Sequence, residues 1–103
     1  MGLFDLAVDF AFQAYARERI QEGLATALST MQQMCANEGQ TAALNKILPE
    51  FTQAAQASPE DGWPGVSCDP YCDFIGEIVE EGNNIMEEAY DEAGSIIEEG
   101  FDY

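Results

Sequence analysis

The sequence contains no histidine and only three basic residues, Arg17, Arg19 and Lys46. Without an imidazole there is no Ser–His or Cys–His nucleophile pair and no histidine metal ligand. An enzyme is therefore not expected, nor a cofactor or a dedicated metal site. No stretch approaches the roughly 20 uncharged apolar residues that a membrane span requires. Alternating apolar and polar runs are missing too, so no β-structure is expected. A calcium loop with EF-hand spacing is nowhere found, and a straight helix cannot wrap six to eight oxygens around an ion.

Cysteine is scarce, at Cys35, Cys68 and Cys72. The N-terminus lacks a basic segment of the kind that begins a secretory signal. The thiols are therefore expected to be structural and reduced, as in a cytosol. Cys68 and Cys72, four apart, leave a disulfide or redox role open. A metal role is poorer, because two thiolates with Cys35 as third ligand fall short of a zinc site.

What the chain has in excess is acid. Its 20 Asp and Glu give 103 residues a formal charge of −17. Residues 1–59 carry six acids against all three bases, whereas residues 60–103 carry fourteen acids and no base. Direct nucleic-acid binding is not expected of such a chain. A solubility role needs a net charge of only about 2–8 in a small domain, and adaptation to salt would acidify the surface evenly.

The charge is concentrated in Asp69–Asp102, which holds twelve carboxylates. At about 100° per residue, Ile75, Ile78, Val79, Ile85, Met86, Ala89, Ala93, Ile96 and Ile97 fall within about 60° of Gly82. Phe74 and Tyr90 sit at the two edges of this stripe. Asp73, Glu77, Glu80, Glu81, Glu87, Glu88, Asp91, Glu92, Glu98 and Glu99 occupy the opposite arc, and one flank, Gly76, Asn83 and Gly94, is uncharged. Asp69 suits the N-cap and Pro70 the first helical position.

Residues 3–16 carry two apolar stripes, Leu3, Leu6, Ala7, Phe10, Ala14 and Phe4, Val8, Ala11, Phe12, Tyr15. Two stripes point to a helix sandwiched in the core or to a homodimer through this helix. Membrane-surface binding is disfavoured, because Asp5 and Asp9 would be repelled by anionic lipid. Core positions continue through Ile20, Leu24, Leu28, Met31, Met34 and Cys35, with a kink or break expected at Gly23 and a stop at Asn37–Glu38–Gly39. Leu44, Ile47, Leu48 and Phe51 mark a shorter helical region in which Pro49 disfavours continuity. The Pro- and Gly-rich run Ser58–Ser67 reads as a loop pinned to the core by Trp63.

The expected architecture is a single α-helical domain, 1–103, built as a bundle of three to four helices. The helices run roughly over 3–36, 41–57 with a kink at Pro49, and 70–99, with a loop at 58–69.

The acid arc is the candidate site. Asp73 to Asp102 holds eleven carboxylates along roughly 44 Å of helix, about one per 4 Å, against one phosphate per roughly 3.4 Å on a strand of B-DNA. Like charges at i,i+4, such as Glu77/Glu81, Glu87/Asp91 and Glu88/Glu92, each cost a few tenths of a kcal/mol, which suggests a function for them. In size, charge and helical pattern the chain resembles the small acidic counter-defence proteins of phages and mobile elements, the anti-CRISPR and anti-restriction proteins. The comparable density points to a nucleic-acid mimic that inhibits a nucleic-acid-binding protein by filling its basic groove, and the resemblance implies that it acts in the cytoplasm of a bacterial or archaeal host. The other readings are an assembly oligomer such as a virion component, and an acidic chaperone or antidote for a basic cognate protein.

Overall fold

The computed structural model describes the backbone of residues 3–101 and the side chains of residues 10–99. Three helices form it: α1 (Leu3–Met34), α2 (Glu38–Ala54) and α3 (Cys72–Phe101). No strand occurs among the described residues, and the fold is the small all-α bundle that the periodicity implies. No described helix is long and apolar enough to cross a membrane.

The main interface is an antiparallel pairing of α1 with α3. Arg19 lies beside Glu92, Gly23 against Ala89, and Met31 against Gly82. α2 runs back down this pair, parallel to α3. Gln40 meets Phe74, Phe51 meets Gly82, and Ala54–Ala57 meet Tyr90. The apolar face of α3 lies inward as its phase requires. Ile75, Ile78, Val79, Gly82, Met86, Ala89, Ala93 and Ile97 are buried, with Ile85 and Ile96 half-buried beside them. Tyr90 is buried as well, whereas Phe74 at the other edge is exposed.

By residue count α1 and α3 are about 48 and 45 Å long and α2 only about 26 Å, in a body measuring 55 × 18 × 17 Å. α2 therefore covers one half of the long hairpin. Beyond it α1 and α3 continue as a two-helix arm. The core-facing line of α1, which begins at Ala16 and Ile20 and continues through Ala27 under α2, runs between the phases of the two N-terminal apolar stripes. Phe10 of one stripe and Tyr15 of the other are exposed, so the described part of residues 3–16 is not sandwiched. The stripe residues at positions 3–8 lie outside the described side chains.

Several expected boundaries move, each for a local reason. Asn37 does not stop α1; it caps α2, its side chain accepting the Gln40 N–H at 2.9 Å, while Gln40 Oε1 accepts from Ala36 N–H at 2.7 Å. This reciprocal cap starts α2 at Glu38 and leaves a connection of only three residues. Pro49 does not divide α2. Pro49 and Asn45, whose carbonyl loses its intrahelical donor, are both on the solvent side, while Leu44, Ile47 and Phe51 hold the opposite face in the core.

Asp69 does not cap α3. A turn closed by Tyr71 N–H to Cys68 O (2.7 Å) occupies that stretch, the Asp69–Pro70 peptide is cis, and the helix begins at Cys72. The helix also kinks at Ile75 (φ −131°, ψ 17°), where the Phe74 carbonyl accepts from Gln40 Nε2 at 3.0 Å. Met34 is exposed rather than core. Cys68 and Cys72 are joined in a disulfide, which replaces the expected pair of reduced thiols, and only Cys35 is free.

Gly23 does not break α1. It is buried, and a Cβ there would sit 2.5 Å from the Cβ of Ala89. Gly82 is similarly enclosed, with Met31 Cε and Phe51 Cζ each 2.9 Å from where its Cβ would be. Gly23 marks a close approach of α1 to the backbone of α3, whereas Gly82 makes room for the side chains of Met31 and Phe51.

Gly23→Ala is expected to destabilise the fold by about 1–2 kcal/mol, since overpacking costs about 1–3 kcal/mol against a helix-propensity gain of at most about 1 kcal/mol. Adding Ala89→Gly should recover part of the loss, and urea unfolding of the three proteins checks it. Thiol titration of the unfolded chain should find one reactive thiol before reduction and three after.

Candidate functional site

All ten carboxylates of the acid arc, Asp73, Glu77, Glu80, Glu81, Glu87, Glu88, Asp91, Glu92, Glu98 and Glu99, are exposed. Their helical phase resolves them into two stripes about 90° apart. One holds Glu77, Glu81, Glu88, Glu92 and Glu99. The other holds Glu80, Glu87, Asp91 and Glu98, spaced roughly 6 to 10.5 Å along the axis. Asp73 shares the phase of the second stripe, but it precedes the kink at Ile75, so it is displaced from that line.

The uncharged flank of α3 has a partner. The segment 55–71, which carries the chain back from the end of α2 to the start of α3, lies along it. Asn83 is its anchor. The side-chain oxygen of Asn83 accepts from Trp63 Nε1 (2.8 Å) and Val66 N–H (2.9 Å), and its amide nitrogen donates to Val66 O (2.9 Å). Gly94 leaves room for the Pro59 carbonyl, 3.9 Å from the position of a Cβ. Trp63 pins the loop as expected, its ring 5.8 Å from Phe51 and 5.6 Å from Tyr90 between centroids. A carboxylate on this flank would face the loop's carbonyls, so the acid is confined to the rest of the circumference.

Each base is engaged away from most of the acid. Arg17 donates to Ala55 O (2.7 Å) and Ala57 O (3.2 Å), closing the C-terminal end of α2, whose last carbonyls have no intrahelical donors. Tyr90 Oη donates to the same Ala57 carbonyl at 2.8 Å. Burial pushes the Tyr90 phenol above its usual range, and the nearby Arg17 guanidinium opposes that shift. Lys46 Nζ stands 5.6 Å over the Tyr71 ring. Arg19 pairs with Glu92 through a partly exposed contact, the only ion pair among the described residues. Nine of the ten carboxylates thus have no cationic partner among the described residues.

The pairing of α1 with α3 adds acids that the helical phase of α3 alone does not assign to this surface. Glu18 and Glu22 of α1 share a groove with Glu99, and Glu60 of the loop shares a depression with Asp91 and Glu98. Glu18 and Glu22 stand at i,i+4, one face of one helix, but only the register against α3 puts them beside its first stripe. The negative surface therefore wraps from α1 across α3 to the loop.

One cluster of metal-type donors occurs among the described residues, Cys68, Asp69 and Cys72, with donor atoms within 4.8 Å of one another. Its two sulfurs are bonded to each other and so offer no thiolate.

Asn83→Ala strips the partners from Trp63 Nε1 and both backbone groups of Val66. It should cost about 1–3 kcal/mol, the range expected when polar groups withdrawn from solvent lose their partners, with a loss of Trp63 near-ultraviolet circular dichroism. For Tyr90, a raised native pKa means that the unfolded chain gives up this proton first. The stability from the neutral phenol is present below about pH 10, the ordinary tyrosine value, and is lost as pH rises through the native pKa. The advantage of the native protein over Tyr90→Phe should therefore shrink as pH rises above about 10, measured by denaturant titration.

No family model matches the chain, and neither a curated protein nor a solved structure is found to be similar to it.

Proposed function

We propose that the carboxylate face of α3 imitates a nucleic-acid backbone and inhibits a nucleic-acid-binding protein by occupying its basic groove. The observation that carries this reading is the exposure of all ten carboxylates along one helix, nine of them without a cationic partner among the described residues. Their axial density, about one per 4 Å, is close to that of a phosphate strand, one per roughly 3.4 Å. A partner that normally holds nucleic acid would gain affinity from release of its bound anions and water, and association would be steered by the long-range field.

The setting this fits is counter-defence by a phage or mobile element, with a CRISPR effector, a restriction enzyme or a nucleoid protein as target. Self-assembly through α1 is a second reading, favoured by the exposed Phe10. It would appear as a concentration-dependent oligomer in sedimentation.

Tagged protein should capture a discrete partner from bacterial lysate. That partner should be released by excess competitor DNA and bind more weakly at high salt, where exposed charges are screened over roughly 8 Å or less. The triple variant Glu80→Lys, Glu87→Lys, Asp91→Lys should retain its helicity and melt at the same temperature or higher, because positions 80 and 91 then carry charge opposite to Glu77 and Glu88 at i,i+3. It should lose the partner. A folded triple variant that still binds the DNA-displaceable partner would overturn the reading.

A further inference from the structure

We infer that the groove between α1 and α3 on the two-helix arm docks a basic protein segment that presents an apolar side chain between lysines or arginines. Phe12 and Ile96, each half-buried, line the groove, and Tyr15, 60% exposed, stands beside them. Glu18, Glu22 and Glu99 line the same groove, and the one cation there, Arg19, is tied to Glu92. The border therefore keeps three carboxylates without a cationic partner among the described residues.

That border selects the occupant. A second copy of the chain would bring its own carboxylates against these and be repelled, and an anionic lipid surface would be repelled in the same way. A segment with an apolar residue flanked by cations satisfies both the floor and the edge. Such a site gains its specificity from a buried apolar anchor and its encounter rate from charge. The inference shares with the preceding reading only the premise of a basic protein partner. The groove lies beside the first carboxylate stripe, whereas the triple reversal above alters the second.

The test uses two fluorescent peptides of equal positive charge, an amphipathic helix of leucine and lysine and an oligolysine, titrated by anisotropy into the full chain. Tyr15→Ser should weaken the leucine–lysine peptide by about tenfold or more, the size expected for loss of an aromatic anchor, and leave oligolysine unchanged. Glu18→Gln with Glu22→Gln should weaken both peptides. Phe10→Ser removes an aromatic of greater exposure from the opposite flank of the arm and should change neither. Circular dichroism confirms that each variant is folded, and all these positions lie outside the buried core.

Equal loss with Tyr15→Ser and Phe10→Ser would mean general stickiness and overturn the inference, as would an unchanged affinity in Tyr15→Ser. A dimer seen in sedimentation that dissociates in Tyr15→Ser would assign the groove to a second copy instead. The two proposals fail separately. Loss of the lysate partner only on reversal of Glu80, Glu87 and Asp91 would sustain mimicry without the groove, and peptide selectivity without a DNA-displaceable partner would sustain the groove alone.

Discussion

The close approach of α1 to α3 fixes almost everything else in the molecule. At Gly23 a single side-chain carbon would collide with Ala89, and at Gly82 it would enter space held by Met31 and Phe51. These contacts set the register of the two long helices. With that register in place, Arg19 falls opposite Glu92, the Glu18–Glu22 pair comes alongside the acid face, and Tyr90 is delivered to the end of α2. A different register would keep the same composition and scatter the same charges. The negative surface is thus a product of packing as well as of sequence.

Much of α3 is legible in the amino-acid order alone, because a helical period sustained over 30 residues leaves little freedom of phase. The nine apolar positions assigned to its inner face are all buried or half-buried, and the ten assigned acids are all exposed. The uncharged flank shows on the helical wheel only as a gap; the return loop lying on it is the reason for the gap. Boundaries and glycines are harder to read, for physical reasons. Asn37 ends one helix's signals and begins another's, and only Gln40 three residues on decides for a cap. Pro49 is a helix breaker by local chemistry, yet the burial of Phe51 and Ile47 outweighs one missing hydrogen bond on a wet face. Gly23 looks like flexibility in one dimension and is close contact in three.

Charge shapes the molecule in two opposed ways. Repulsion along α3 weakens the helix locally, since i,i+4 carboxylates stand without interleaved cations. The bases that exist are spent elsewhere, on helix-end carbonyls, an aromatic ring and a single carboxylate. What holds α3 is therefore its apolar stripe, and the stability of the fold and the display of charge occupy separate sides of one helix. That separation is why changes on the acid face can be made without touching the core.

The antiparallel pairing of α1 with α3 governs how the chain reaches this state. The contacts that bury α1 join residues far apart in the chain, from Met31 and Gly82 to Arg19 and Glu92, the last at a separation of 73. Such distant contacts are slow to form, because a long segment must be closed before they yield any stabilisation. During synthesis α1 leaves the ribosome first, with its apolar faces uncovered, and must wait for nearly the whole of α3. In that interval the early carboxylates, Asp5, Asp9, Glu18 and Glu22, lie among the very residues that would otherwise aggregate. Their negative charge gives the nascent helix a means of staying in solution until its partner arrives.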